Sequence, residues 1–238
     1  MVDSDYTEPL EGYTLSTYRA LLADLQSAGF EFHAFSDAPT ERSVFLRHDV
    51  DLSPGDALRM AELEAEMDVT STYFFLLTNP LYNLLEREYR DVVARIESLG
   101  HEVGVHFSTH QYWSEQPEDA TLESFVDREL SALSGVTGND HPVISFHIPP
   151  EWVLDRTFDG FTHTYEPRFM TDILYRADSS HRWLDEAPFP DGFDDRMQVL
   201  THPGIWGETH RSFERCVRDA GAHAKARIDT ALEEQYLS

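Results

Sequence analysis

Five apolar runs in this chain each stop on an ionisable residue: VFLRHD on Asp49, EVGVH on His106, VISFH on His147, LYRAD on Asp178 and QVLTH on His202. Aspartate and histidine hold divalent cations and move protons near neutral pH. Just past the first run stands Asp51. Side chains alternate along an extended segment, so Asp49 and Asp51 share one side while His48 and Val50 take the other. Two carboxylates so close repel unless a cation lies between them or one is protonated, and the cation is the simpler solution. The stretch HFSTH offers partners, because His106 and His110 stand four apart and one helical or turn-like step brings both rings to one side. Two imidazoles, a carboxylate from Asp49 or Asp51 and an open position make a catalytic set, since structural zinc is closed by four protein ligands. Such an ion lowers the pKa of bound water to roughly 7 and polarises a carbonyl, so hydrolysis is the expected chemistry.

The elements that must position these residues alternate. Tyr18, Leu21, Leu22 and Leu25 fall at helical spacing before Gly29, predicting a first helix. Ser53-Pro54-Gly55-Asp56 offers an N-cap and a proline at the first helical position, predicting a helix from Pro54 to about Met67. VTSTYFFLL, from Val69 to Leu77, is β-branched and aromatic and predicts a buried strand. A helix from Leu85 to Leu99 closed by Gly100, the strand HEVGVHF and a helix ending near Gly135 follow, then short strands at Pro142–His147, Asp172–Asp178 and Met197–His202. The stretch 151–171 lacks clean periodicity and reads as a long loop, and a carboxy-terminal helix begins near Glu208. Strands alternating with helices predict an α/β fold with a parallel sheet, covered or closed into a barrel, whose strand C-terminal ends surround one cleft. The 238 residues suit one domain.

Asp and Glu number 44 against 18 Lys and Arg, a formal charge of -26, so nothing here would neutralise nucleic-acid phosphates. Lys225 is the one lysine, and arginine-dominated cations on so acidic a chain predict adaptation to concentrated salt, where a Debye length of about 3 Å screens the self-repulsion. The single cysteine, Cys216, excludes an internal disulfide and is expected to pack in a helix. No run approaches the ~18 apolar residues a bilayer span needs, and MVDSDYTEPLEGYT lacks a basic-then-apolar leader, so a cytoplasmic protein is expected. Nothing in the sequence specifies an oligomeric state.

With these motifs in order, the chain resembles the polysaccharide deacetylases of carbohydrate esterase family 4 over about residues 43–206. RHDVDLSPGDALRMAELEAEMDVTSTYFF, LGHEVGVHFSTH, FHIPP, YRADSSHRW and VLTHP stand where that family carries its five motifs. The resemblance implies a distorted (β/α)7-type barrel with catalytic residues at the C-terminal ends of the strands. It also implies Asp51, His106 and His110 as ligands of a divalent metal, with Zn²⁺ the expected ion. Asp49 is then the general base, His202 the general acid, and Asp178 holds His147 or His202 in its tautomer. The family's adjacent aspartates fall on Asp49 and Val50, so Asp51 is taken to supply the missing carboxylate. His147 stands where the family has the arginine that orients the catalytic aspartate. A looser branch with H-D-V-D and H-x-P fits better still. The implied activity is removal of acetyl from an N-acetylated sugar or glycan precursor; the alternatives are hydrolysis of a small cyclic amide or imide, and a non-catalytic carbohydrate-binding homologue. Of the tryptophans, Trp183 is the one expected to wall the cleft.

Overall fold

The computed structural model describes residues 5–140 and 143–237. Helix α1 (Leu15–Ser27) leads to β1 (Glu31–His33) and then to β2 (Ser43–Val50), whose eight residues are all buried. There follow α2 (Pro54–Glu66), β3 (Thr72–Phe75), α3 (Arg87–Ser98), β4 (Glu102–Phe107), α4 (Asp119–Thr137) and β5 (Val143–Phe146). The chain closes with β6 (Thr162–His163), α5 (Pro167–Met170), β7 (Leu174–Ala177), β8 (Arg196–Thr201) and α6 (Phe213–Leu232). All strand pairs are parallel, in the order β6-β5-β4-β3-β2-β8-β7, with β1 added beside the first half of β2. Sequence order thus runs round the sheet with one seam, because β6 and β7 pair with no further strand among the described residues. The fold is the expected distorted (β/α)7-type barrel, left open at that seam.

The signals that build the elements act locally. The Ser53 hydroxyl accepts the Asp56 amide at 3.1 Å and starts α2. Helix α4 runs past Gly135 and stops at Gly138, whose φ of 80° makes it the left-handed cap. The expected strand at Val69–Leu77 is trimmed to Thr72–Phe75, and the start of the strand expected from Pro142 lies outside the described residues. The loop expected over 151–171 contains both β6 and α5, elements too short to show a period. Cys216 is buried in α6, as expected. Among the described residues no helix is long and apolar enough to cross a membrane.

Alternation along β2 divides the core. Val44 and Leu46 pack outward against Tyr18, Leu21, Leu22 and Met60 of α1 and α2. Phe45 points the other way, joining Phe35, Phe74, Val143 and Phe169 in an apolar floor inside the barrel. Two residues on, about 6.6 Å further along the strand, Arg47 is buried above that floor, and Asp49 follows at the mouth.

Candidate active site

Arg47 is the largest of the fully buried charged side chains among the described residues, so its guanidinium needs acceptors on every side. It finds them in Asp49, by Nε to Oδ1 at 2.9 Å and Nη2 to Oδ2 at 2.7 Å, and in Gln198 Oε1, Ser145 Oγ and Tyr165 OH. The fork grips Asp49 in a bidentate pair, the geometry that fixes a carboxylate most firmly. Ser145 Oγ donates to Asp49 Oδ1 at 3.1 Å as well. Burial pushes the Asp49 carboxyl up, but Arg47 and then His106 overcome it and hold the group below its ordinary range.

Above Asp49 three donor atoms converge. His106 Nε2 lies 3.3 Å from Asp51 Oδ1, His147 Nδ1 lies 3.2 Å from the same oxygen, and the two ring nitrogens are 3.1 Å apart. Metal bonds of about 2.0–2.2 Å in a tetrahedral shell put neighbouring donors roughly 3.3–3.6 Å apart, a few tenths of an ångström wider than this triangle. His106 Nδ1 faces the Ser145 carbonyl at 3.3 Å and Ser145 Oγ at 3.1 Å, which fixes the ring and leaves Nε2 directed at the triangle. Asp51 Oδ1 is buried and, among the described residues, has no hydrogen-bond partner in good geometry, only the two ring nitrogens facing it. Desolvation raises the Asp51 carboxyl, and the facing His106 and His147 rings pull it far below its ordinary value. Two imidazoles, a carboxylate and an orphaned carboxylate oxygen fit a divalent cation such as Zn²⁺, and these three residues would hold it.

His202 completes the mouth. Its Nδ1 donates to Asp178 Oδ1 at 2.5 Å, leaving Nε2 facing the cleft, 3.8 Å from Asp51 Oδ2. Burial lowers the imidazole, but Asp178 and Asp51 together push it up to about 9. Asp178 is itself buried, accepting the His202 amide at 3.0 Å and Trp206 Nε1 at 2.8 Å. The loop after it is fastened from the far end of the chain: Tyr13 OH donates to the Asp178 carbonyl at 3.2 Å and accepts the Trp183 amide at 3.0 Å. Gly204, two residues past His202, sits where a Cβ would lie 2.6 Å from Leu52 Cβ, so only glycine lets this loop approach the Asp51 segment.

Six of the seven residues singled out from sequence therefore surround one cleft of about 420 Å³ or, for Asp178, hold a residue that does. The seventh does not join them. His110 is exposed and its Nε2 donates to the Ile148 carbonyl at 3.0 Å. The chain leaves β4 extended at Ser108, with φ −101° and ψ 104°, and only then makes a short 3₁₀ turn, so the helical spacing does not apply. His147 stands in its place beside His106 and Asp51, and the orienting role expected of His147 falls to Arg47. Asp178 holds His202 and not His147. Trp183 is buried against Tyr13 and Trp206, and no tryptophan lines the cleft among the described residues. Arg47 carried a signal in the sequence, since the alternation that puts Asp49 and Asp51 on one side puts Arg47 there too. Ser145, Tyr165 and Gln198 carried none.

No family model matches the chain, and no curated protein matches it in sequence. Solved structures of similar fold include family 4 carbohydrate esterases and a peptidoglycan deacetylase. The peptidoglycan deacetylase PdaC from Bacillus subtilis is 12% identical, with 84% of this chain covered, 100% of that one and a TM-score of 0.49. A family 4 carbohydrate esterase from Bacillus anthracis is 15% identical, covering 87% and 86%, with a TM-score of 0.45. A family 4 pseudoenzyme from Bacillus anthracis is 14% identical, covering 81% of this chain and 66% of that one, with a TM-score of 0.43. This chain thus spans about two thirds of the pseudoenzyme's length. The likeness is one of chain path, and the chemistry rests on the residues of this cleft.

Proposed function

We propose that this protein is a metal-dependent hydrolase that removes acetyl from the nitrogen of a sugar or glycan precursor. The observation that carries the reading is the triangle of Asp51, His106 and His147, set between the Arg47–Asp49 pair and the Asp178–His202 pair. A divalent ion supplies Lewis acidity and makes water acidic enough to attack at neutral pH. Asp49, fixed by Arg47, takes the proton of the attacking water. Asp178 favours the protonated form of the His202 ring, whose Nε2 gives a proton to the departing amine. Asp178 fixes the ring's tautomer and direction and does not itself exchange a proton.

A second reading, hydrolysis of a small cyclic amide or imide, is favoured by the cleft wall. Leu52, Ile148, Leu154, Met170, Ile205 and Phe213 line it, and among the described residues no indole offers a flat platform for a sugar ring. Purified protein loaded with Zn²⁺ should release acetate from N-acetylated saccharides; ring-opened product from a small imide with no acetate release would select the second reading. Stoichiometric metal with neither reaction would leave a binding protein. Asp49→Asn should retain the metal and lose turnover about 10²–10⁴-fold, and wild-type turnover in that variant would remove Asp49 as the base.

A further inference from the structure

We infer that His110 is a positioning residue whose ring pins the Ile148 carbonyl, and that this pin holds the left-handed turn that aims His147 at Asp51 and His106. The inference rests on the metal reading of that triangle. It begins from a backbone conformation. Ile148 has φ 47°, a region that a β-branched side chain enters only under constraint. Pro149 follows, and the residue before a proline is driven toward extended backbone, so the local sequence opposes this turn twice.

Packing does not enforce the turn, because Ile148 is 66% exposed. Two hydrogen bonds bracket it instead. The His147 amide donates to the Phe107 carbonyl at 2.8 Å, and one residue later the Ile148 carbonyl accepts from His110 Nε2 at 3.0 Å. Both anchors belong to the segment that carries His106, so the segment bearing one nitrogen donor dictates the direction of the other. Between them the chain reverses, and His147 Nδ1 comes to 3.2 Å from Asp51 Oδ1. Released from His110, Ile148 relaxes toward extended backbone and carries the His147 ring off the triangle.

The test is a cobalt(II) titration of the full chain, read by visible absorption and calorimetry. His110→Ala should weaken cobalt binding about 10–100-fold, the usual effect of losing a residue that orients a ligand, while the spectrum of the saturated complex stays that of the wild type. Ile148→Gly should restore most of the affinity in the His110→Ala background, because glycine adopts φ 47° freely. Alone, Ile148→Gly should bind cobalt as the wild type does. Unchanged affinity in His110→Ala would overturn the inference. So would a changed saturated spectrum with no rescue by glycine, which would make His110 a ligand. If the wild type takes up no cobalt, the metal reading fails, yet the pin is still tested by thermal denaturation of the metal-free chain. There His110→Ala should lower Tm, and Ile148→Gly should raise it more in that background than in the wild type. Additive Tm shifts would overturn the pin.

Discussion

Strand β2 carries two clusters of acids and imidazoles on opposite faces, and only one of them borders open space. Toward the barrel stand Arg47, Asp49 and, just beyond, Asp51, at a cleft of about 420 Å³. Toward the helices His48 Nε2 lies 2.8 Å from Glu64 Oε1, and its Nδ1 meets Thr201 Oγ1 at 2.8 Å. Glu64 also accepts from Tyr18 OH, from Ser71 Oγ at 2.6 Å and from Tyr73 OH at 2.8 Å, while His101 bridges Ser71 and the Ala61 carbonyl. Both clusters mix histidine with carboxylate, so residue type alone does not mark a site. The outer cluster is sealed from solvent; its carboxylate accepts from three hydroxyls, and, among the described residues, the one unpartnered atom beside it, His48 Nε2, faces that carboxylate and not open space. The cleft keeps a carboxylate oxygen with no hydrogen-bond partner in good geometry among the described residues, and room beside it. Chemistry needs open space beside the residues as much as the residues themselves.

Substitutions on the two faces should separate turnover from stability. On the cleft face, Asp178→Asn removes the charge that favours the protonated His202 ring, and turnover near neutrality should fall about 10²–10⁴-fold with the fold retained; unchanged kcat would dismiss His202 as the acid. On the helix face, Glu64→Gln should cost about 3–5 kcal/mol in a denaturant melt, with kcat per folded molecule unchanged. A loss of kcat at full stability would show that the two faces are not separate.

The faces should also differ in pH response. The folded pKa of His202, about 9, lies above its ordinary value, so its stabilisation is present below about 6.5 and is lost as pH rises through 9. Likewise kcat should fall on the alkaline side as His202 loses its proton, and Asp178→Asn should move that limb toward neutrality. Burial raises the Glu64 carboxyl, but His48 and other donors bring it down to about 2. Its contribution is therefore present above about 4.5 and lost as pH falls toward 2, an edge that acid melts of Glu64→Gln should lack. Smaller effects lie outside both clusters. Burial pushes Glu129 up to about 7 and leaves its Oε2 without a partner, so Glu129→Gln should stabilise the fold by about 1–3 kcal/mol at pH 8 and by less at pH 5. Raising KCl from dilute buffer toward 1 M should lift Tm by a few degrees, roughly 1 kcal/mol or less, if the charge of -26 strains the chain through self-repulsion; a flat curve would remove the expectation of salt adaptation.

The candidate site was legible where one rule of geometry governed it. Period-two alternation placed Asp49 and Asp51 on the cleft side and His48 opposite, and parallel topology gathered His106, His147 and His202 at one end. It failed where a local rule presumed a conformation, as at His110, where four-residue spacing has no meaning after an extended Ser108. The partners of Arg47 come from β5, β8 and the segment after β6, 98 to 151 positions away, and no window of sequence holds them together. Strand β6, a bare Thr162–His163, is defined by its pairing with β5 and not by any pattern of its own.

The Tyr13 hydroxyl reaches a carbonyl 165 positions downstream, which bears on the order of folding. A nascent chain makes this latch first and the residues it closes on last. Contacts so distant along the chain form slowly, so the acid-bearing loop should be the final part of the barrel to settle. A species lacking that closure would already have most of the sheet and none of the proton donor in place.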